Sequence, residues 1–308
     1  MYTQVKTGSP CRKLTRRWVV GAGLAHVAAI AAVVALPTRG EDRFVVAVPT
    51  DVLEDYRRFL RGRDPLLVTD FGGPFTRRDV VEVVLLQQAL NSGNWGQRVE
   101  LEALPNVARI LREIEWGHAA CSGTSFWRED IPVSSTSFHC SDAMVEVGQF
   151  EAGLYTVATN QQAMAAKSLS DVQRLTALSN RGWIVDWRTL EQLGIVHLQH
   201  VGQWPAMPKM VAAKRADFVL APFQATADLS LDVGSVRLVP IPGLKVGLDG
   251  TRHFLVSSHH ARATALLARL NAGLSTLRRQ GVIRQAYEQS GFFNPRIAQW
   301  TTLRAPSR

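Results

Sequence analysis

Apolar positions recur along the chain with two different periods. Short β-branched or aromatic runs, as at residues 44–48, 99–104 and 218–221, predict strands. Apolar residues at helical spacing, as across residues 107–114 and 266–277, predict amphipathic helices. Because strands alternate with helices, the pattern favours an α/β fold with mostly parallel sheets.

Two stretches of the chain, residues 110–130 and 210–226, share one pattern. Each passes from the end of a helix through a basic or glycine turn into a short strand of small and apolar residues. Each then enters a loop with polar and aromatic side chains. In an open α/β sheet the loops at the carboxyl ends of strands form the ligand crevice. Two such units therefore predict two lobes that face one cleft.

Composition and charge narrow the class of protein. A chain of 308 residues with 46% hydrophobic and 20% charged residues is typical of a globular protein. The net charge is +9, but six basic residues lie in the first forty positions, which contain no acid. The remainder carries only +3, and no clustered basic face or recognisable module is present. Nucleic-acid binding is therefore not expected.

The N-terminal residues 1–40 have the composition of a signal peptide or an N-terminal anchor. Arg16 and Arg17 precede an alanine-rich apolar run at residues 18–36, and small residues follow it before Glu41. Cleavage before Glu41 is the favoured interpretation. The alternative is an uncleaved anchor, because the run approaches the roughly 20 residues that span a bilayer. Both predict an exported, periplasmic protein that meets the membrane only through this segment.

Cysteine and histidine patterns predict neither a cofactor nor a metal site. Cys121 and Cys140 lie in the exported part, where a disulfide would contribute about 3 kcal/mol. The alternative is two unpaired thiols, since their separation is not known from sequence. No histidine group has a third ligand at a metal-binding spacing, and no phosphate loop, dinucleotide fingerprint or nucleophile elbow occurs.

Three segments, residues 110–128, 210–222 and 266–293, resemble the bacterial extracellular solute-binding proteins of family 3, which are the substrate-binding components of ABC transporters. The resemblance implies a two-lobed type II periplasmic-binding fold, with two mostly parallel sheets flanked by helices and a hinge between the lobes. Lobe 1 would then comprise residues 41–156 and 250–308, and lobe 2 residues 157–249. Crossings near residues 150–158 and 243–253 would form the hinge.

Amino-acid binders of this family clamp the ligand carboxylate with an arginine that follows a Gly-Thr strand end. The resemblance implies this role for Arg128, after Ser122, Gly123 and Thr124, and a guanidinium matches a carboxylate well. The alternative is that Arg128 pairs with a neighbouring surface acid, Glu129 or Asp130.

The chain departs from the family at the second loop. Pro222-Phe223-Gln224 stands where family members carry the acid that holds a ligand ammonium, so Asp70 or Asp186 would have to supply it for an amino acid. A carboxylate, a peptide-like fragment and an aromatic compound remain equally open as ligands.

Other candidate ligand-binding residues lie in the predicted loops. Aromatic rings often wall ligand clefts, and packing in the core or hinge is the alternative for each. The aromatic candidates are Phe71, Phe75, Trp127, Trp183 and Phe223. Exposed N–H groups before the helix of lobe 2 could receive an anion. The polar candidates are Asp70, Ser179, Asn180, Arg181 and Gln224.

These residues predict capture of a small polar or carboxylate-bearing solute for an ABC importer or a membrane sensor, with no catalytic residues. One alternative is a cleft enzyme, a dehydratase or lyase of a small carboxylic acid, with Asp70, Glu82 or His118 as general acid or base. The other is an exported structural or regulatory protein that binds no solute. Glu82, on the helix expected from Asp79 to about Leu90, is expected to face solvent.

Overall fold

The computed structural model describes residues 44–92 and 99–304, in which helices and strands alternate. The predicted leader at residues 1–40, with the apolar run at 18–36, lies outside the described residues. The strands are β1 (Phe44–Pro49), β2 (Val99–Leu104), β3 (Cys121–Ser122), β4 (Phe126–Trp127), β5 (Phe138–Cys140), β6 (Phe150–Thr156), β7 (Ala177–Ser179), β8 (Leu198–His200), β9 (Phe218–Pro222), β10 (Leu231–Val233), β11 (Val236–Leu248), β12 (Arg252–His253), β13 (Leu255–Ser257) and β14 (Thr301–Leu303). The helices are α1 (Thr50–Leu60), α2 (Arg78–Asn91), α3 (Val107–Glu115), α4 (Gln161–Met164), α5 (Leu169–Val172), α6 (Ile184–Gln192), α7 (Ala206–Ala212), α8 (Ala263–Arg279) and α9 (Val282–Gln289).

The first lobe is built on a five-stranded sheet in the order β2-β1-β3-β13-β5. β1 runs parallel to β2 and to β3, whereas β13 is antiparallel to β3 and β5. The parallel strands bring the carboxyl ends of β1 and β3 to one edge. The loop after β3 therefore begins at the edge where a ligand crevice is expected.

The second lobe is built on a seven-stranded sheet in the order β10-β11-β6-β9-β7-β8, with β14 beside β11. β7 is parallel to β8 and β9, whereas β6 is antiparallel to β9 and β11. Both sheets are thus more mixed in strand direction than the sequence indicates. β11 continues to Leu248, into the crossing near residues 243–253 that was predicted for the hinge, because β6 and β14 supply hydrogen-bond partners there.

Helix α2 forms the centre of the first lobe because it is apolar around nearly its whole circumference. Its valines and leucines from Val80 to Leu90 are almost fully buried, as expected for a helix that is packed on all sides. Helix α8 packs closely against it at Gly273, where an added Cβ would lie 2.0 Å from the Ala89 carbonyl oxygen. Only glycine permits this approach.

Several local predictions differ from the structure. The apolar run at residues 66–69 predicts a strand, but the structure has a 3-10 turn there, Pro65–Leu67, capped by the Asp64 side chain. Asp79 and Asp186 each precede a helical segment and so predict N-caps. Neither is one, because α2 begins one residue before Asp79 and α6 begins two residues before Asp186. Both aspartates lie in the first helical turn, where a carboxylate still interacts favourably with the helix dipole.

Within residues 44–92 and 99–304, no helix combines the length and apolar composition that a bilayer crossing requires. The same residues contain no group of three or more histidine, cysteine or acidic side chains placed to hold a metal ion. The lobe boundaries at 156/157 and 249/250 stay a prediction.

Candidate ligand-binding cleft

The loop after β3 is fixed tightly against β1. Gly123 donates its N–H to the Ala47 carbonyl at 2.7 Å, and a Cβ at this position would lie 2.5 Å from Val48 Cγ2. The hydroxyl of Ser122 accepts the Leu255 N–H at 2.9 Å, so this side chain serves the sheet. Thr124 is buried. These contacts hold the start of the loop rigidly and determine where its later residues lie.

Glu82 does not face solvent, contrary to the expectation from sequence, because α2 is surrounded by protein on all sides. Its carboxylate is fully buried and accepts four hydrogen bonds. The donors are the Ser125 N–H at 2.8 Å, the Ser125 hydroxyl at 2.7 Å, Arg78 Nη1 at 2.9 Å and the Tyr287 hydroxyl at 3.0 Å. A buried carboxylate is tolerated when it is paired and hydrogen-bonded in this way.

Two arginines lie beside this carboxylate above a set of aromatic rings. Arg252 donates to the Ser125 hydroxyl at 3.0 Å and to the Ser125 carbonyl. The guanidinium of Arg252 lies 4.7 Å from the ring centre of Trp127, the residue opposite Arg252 in the β4–β12 pair. The guanidinium of Arg78 lies 5.8 Å from the ring centre of Phe150. Burial and the nearby Arg78 charge lower the pKa of Arg252 to about 10. Two guanidinium groups, balanced by the carboxylates of Glu82 and Asp79, therefore lie over an aromatic surface.

Two hydrogen bonds cross from this region to α6 of the second lobe. The indole Nε1 of Trp127 donates to Asp186 Oδ2 at 3.2 Å, and the N–H of Ile184 donates to Asp130 Oδ1 at 2.8 Å. Trp183, at the N-cap position of α6, provides no side-chain cap. Asp130 supplies that cap from the other lobe, at the helix end that attracts negative charge. The two lobes are in direct contact here.

The two acids of this contact are less well compensated than Glu82. Burial raises the pKa of Asp130 to about 7, and the Ile184 N–H and the Arg252 charge offset only part of that effect. Burial likewise raises the pKa of Asp186, against the opposing influence of Arg252 and of the Trp127 hydrogen bond. A carboxyl group with a pKa near 7 can exchange a proton at physiological pH.

Five buried side-chain polar atoms have no hydrogen-bond partner among the described residues. Three of them are Arg78 Nε, Glu129 Oε2 and Ser179 Oγ. Arg78 and Glu129 belong to the first lobe around the arginine pair, and Ser179 lies at the end of β7 in the second lobe. Buried polar groups are normally satisfied, so each of these atoms has an unused capacity for a hydrogen bond.

Arg128 lies next to this region, but its side chain has local contacts. Its N–H donates to the Thr251 carbonyl at 2.9 Å and its Nη1 donates to the Ile131 carbonyl at 3.3 Å. Its described side-chain hydrogen bond is to the Ile131 carbonyl rather than to Glu129 or Asp130. Its role as the carboxylate clamp stays a prediction.

The loop at residues 70–75 lies apart from the cross-lobe contacts. Asp70 Oδ1 accepts the N–H of Gly72 at 3.0 Å, as in an ordinary Asx turn. Phe71 is fully buried and lines a cavity of about 290 Å³ between α2, α8 and α9. Phe75 is 46% exposed, with Arg58 5.4 Å from its ring centre. The structure does not bring these residues to the arginine pair.

The loop before α6 is mostly self-contained. Asn180 Oδ1 accepts the Gly182 N–H at 2.8 Å, and the guanidinium of Arg181 lies 5.3 Å from the ring centre of Trp187. Trp183 packs against Trp204, with ring centres 6.4 Å apart. Of the predicted residues in this loop, only Ser179 has a buried polar atom without a partner among the described residues.

Phe223 and Gln224, in the second of the two similar loops, have packing contacts. Phe223 is buried between Tyr155 and Trp300, with ring centres at 6.3 and 5.4 Å. Gln224 donates to the Pro222 carbonyl at 2.7 Å. These contacts agree with the packing alternative for Phe223. Trp300 also lines an apolar cavity of about 460 Å³ on this side of the second lobe.

Cys121 and Cys140 are free thiols, which agrees with the alternative of two unpaired cysteines rather than a disulfide. β13 lies between their strands, with Val256 opposite Cys121 and Leu255 opposite Cys140. Two strand spacings amount to roughly 9–10 Å, beyond the roughly 7 Å that a disulfide spans between Cα atoms. Burial raises the pKa of both thiols.

The sequence pattern missed the residues that meet across the lobes, apart from Trp127. Arg78, Ser125, Asp130 and Arg252 were not candidates, and Asp186 was considered only as a helix cap and a substitute acid. One signal is present in the sequence: Asp130 and Trp127 belong to the same loop as Arg128, so the sequence identifies the loop.

Comparison with known proteins identifies the fold. No protein-family model and no curated protein matches the sequence. The periplasmic domain of BvgS from B. pertussis superposes with a TM-score of 0.55 at 15% identity over 83% of this chain, which spans 44% of that domain. The amino acid ABC transporter substrate-binding protein AbpA from Streptococcus pneumoniae, bound to L-arginine, gives 0.52 at 13% identity, covering 81% of this chain and 94% of AbpA.

AncCDT-1 is an ancestral amino-acid-binding protein described as a precursor of cyclohexadienyl dehydratase. It superposes with a TM-score of 0.51 at 15% identity, and the match covers 81% of this chain and 95% of the AncCDT-1 chain. At these identities the likeness shows the fold alone. The two-lobed, type II periplasmic-binding fold predicted from the sequence is confirmed.

Proposed function

We propose that this protein is an exported solute-binding protein that captures a small polar or carboxylate-bearing solute between its lobes. The observation that carries the proposal is the meeting of the buried Arg78, the partly buried Arg252 and their aromatic surface with the first turn of α6 across the cleft. Guanidinium groups and helix N-termini both favour carboxylates and other anions. Pairing them across two lobes lets one ligand bind both.

The mechanism is capture by closure. A solute that contacts both lobes stabilises the closed state by its greater affinity for that state. The unpaired Arg78 Nε on one lobe and Ser179 Oγ on the other are donors that a polar solute would use. Trp127 and Phe150, with ring centres 4.8 Å apart, would exclude water from the ligand's apolar part.

The ligand class follows from the charges. AbpA binds L-arginine, so an amino acid is one class to test. Asp186 faces Arg252 and Arg78 from the second lobe and would hold a ligand ammonium, in place of the acid that the second loop lacks. A simple carboxylate needs only the arginines and α6. Delivery to an ABC permease and signalling to a membrane sensor both fit a periplasmic protein of this fold.

The test is thermal unfolding of the full chain against a library of amino acids, carboxylates and aromatic solutes. A solute at a hundred times its Kd adds about 2.7 kcal/mol to the free energy of unfolding and raises the melting midpoint by several degrees. No shift with any solute would contradict capture and favour a structural or regulatory protein.

Variants then locate the clamp. If Arg128→Ala loses the solute-induced shift of the melting midpoint, the clamp predicted from sequence is supported. If Arg128→Ala keeps that shift and Arg252→Lys loses it, the clamp is Arg252. Arg237→Ala is the matched control, since Arg237 is exposed and paired with Asp228 on the second lobe.

A dehydratase or lyase is the second candidate, because the pKa of Asp130 near 7 suits a general acid or base. The described precursor relation of AncCDT-1 to a dehydratase makes this class worth testing. Product formation from a solute that shifts the melting midpoint, abolished in Asp130→Asn, would establish it. A solute that binds and is recovered unchanged would exclude turnover of that solute.

A further inference from the structure

The contact between the lobes consists of the chain's own groups. Asp130 occupies the N-terminus of α6, and Asp186 accepts the indole N–H of Trp127 beside Arg252. In the function proposed above, the N-terminus of α6 and the Arg252 guanidinium are the groups that receive a ligand anion. We propose that Asp130 and Asp186 form a proton-dependent latch that holds the lobes closed with carboxyl groups of the chain itself in those positions.

The geometry of the latch makes closure possible without a solute. Both of its hydrogen bonds join residues far apart in sequence, 54 positions for Asp130 with Ile184 and 59 for Trp127 with Asp186. Neither bond exists once the lobes separate, since each has one partner on each lobe. The latch therefore forms and breaks with closure, unlike the bonds to Glu82, which lie within the first lobe.

The charges facing the latch determine its response to protons. Asp130 faces Arg252 from β12, Asp186 from α6 and Glu129 from its own turn. Asp186 faces Arg252 and Arg78. Asp186 thus disfavours ionisation of Asp130, both acids face Arg252, and both are partly buried in the closed state. Closing the lobes with both acids ionised is costly, and protonation of one removes that cost.

The direction of the pH dependence follows from linkage. In the open state Asp130 is hydrated and has an ordinary pKa of about 3.9, whereas in the closed state its pKa is raised to about 7. Closure therefore takes up a proton between these two values. The closed state is favoured at low pH and loses that advantage as the pH rises through about 7. For Asp130 alone, the ratio of closed to open molecules rises roughly thirtyfold from pH 8.5 to 5.5.

The experiment measures closure of the full chain without any solute. Small-angle X-ray scattering reports compactness, and the ¹⁵N–¹H signal of the Trp127 indole, assigned by its loss in Trp127→Phe, reports the latch bond. We expect wild type to be more compact at pH 5.5 than at pH 8.5. In Asp130→Asn with Asp186→Asn the neutral amides cannot titrate, so compactness should become independent of pH in this range.

Asp142→Asn is the matched control, because Asp142 is exposed and distant from α6 in sequence, and it should keep the wild-type response. Each single variant, Asp130→Asn and Asp186→Asn, should reduce the response if the double variant does not fold. An equally compact wild type at both pH values would overturn the proposal, as would an unchanged response in the double variant. Since no solute is added, this result is independent of whether a solute is ever found.

Discussion

Glu82 and Asp130 are both acids beside the same arginine pair, yet the structure treats them differently. Glu82 is fully buried and accepts four hydrogen bonds from residues of its own lobe. Asp130 is partly buried, accepts one N–H from the other lobe, and has a pKa raised to about 7. A buried acid that is satisfied within one lobe stabilises the fold, whereas one that depends on the other lobe makes lobe closure sensitive to its ionisation.

The difference lies in the number of donors. The Ser125 N–H, Ser125 hydroxyl, Arg78 and Tyr287 all point at Glu82, which compensates the loss of hydration. The ionised form of Asp130 is stabilised by the Ile184 N–H and by the Arg252 charge, and it is destabilised by the charges of Asp186 and Glu129. The first arrangement is typical of a structural ion pair, and the second of a site where ionisation and conformation are coupled.

The largest expected effect is on Glu82. Glu82→Gln removes the negative charge and leaves the buried Arg78 with Asp79 as its remaining ion-pair partner, so the free energy of unfolding should fall by about 3 kcal/mol. Urea unfolding of the full chain at pH 7 measures it. Asp130→Asn is the contrasting variant and should change stability by less than about 1 kcal/mol, because Asn can still accept the Ile184 N–H. Equal losses in the two variants would remove the distinction.

A smaller loss should follow from changing the loop that carries both Ser125 and Asp130. In Gly123→Ala the new Cβ would lie 2.5 Å from Val48 Cγ2, so β1 or the loop must move, at a cost of roughly 1–3 kcal/mol. Gly202→Ala is the control, since no atom lies within 4 Å of its added Cβ. If Gly123→Ala were as stable as this control in urea unfolding, the loop would not be held tightly against β1.

The smallest expected effect is that of one donor to Glu82. Tyr287→Phe removes the hydroxyl that bonds Glu82 at 3.0 Å but keeps the ring packed against Phe292, so it should cost about 1 kcal/mol. Ser125 and Arg78 still satisfy the carboxylate. A loss as large as that of Glu82→Gln, measured in the same urea series, would show that the network depends on Tyr287.

Two loops with the same sequence pattern differ in what they contribute. The loop after β3 delivers Ser125 and Trp127 to the cluster between the lobes, while the loop after β9 places Phe223 in a packed position beside Tyr155 and Trp300. The shared pattern predicted both strand ends correctly. It did not distinguish the two loops, because their environments are formed by residues distant in sequence.

The sequence alone determined the class of fold, since local periodicity specifies strands and helices and their alternation specifies an α/β arrangement. It also located the loop at residues 122–130. Only the tertiary structure decided that Glu82 is buried, that Cys121 and Cys140 lie two strands apart, and that Asp130 reaches Ile184. The physical reason is that burial and ionisation depend on groups from many segments, and local sequence carries no record of which segments meet.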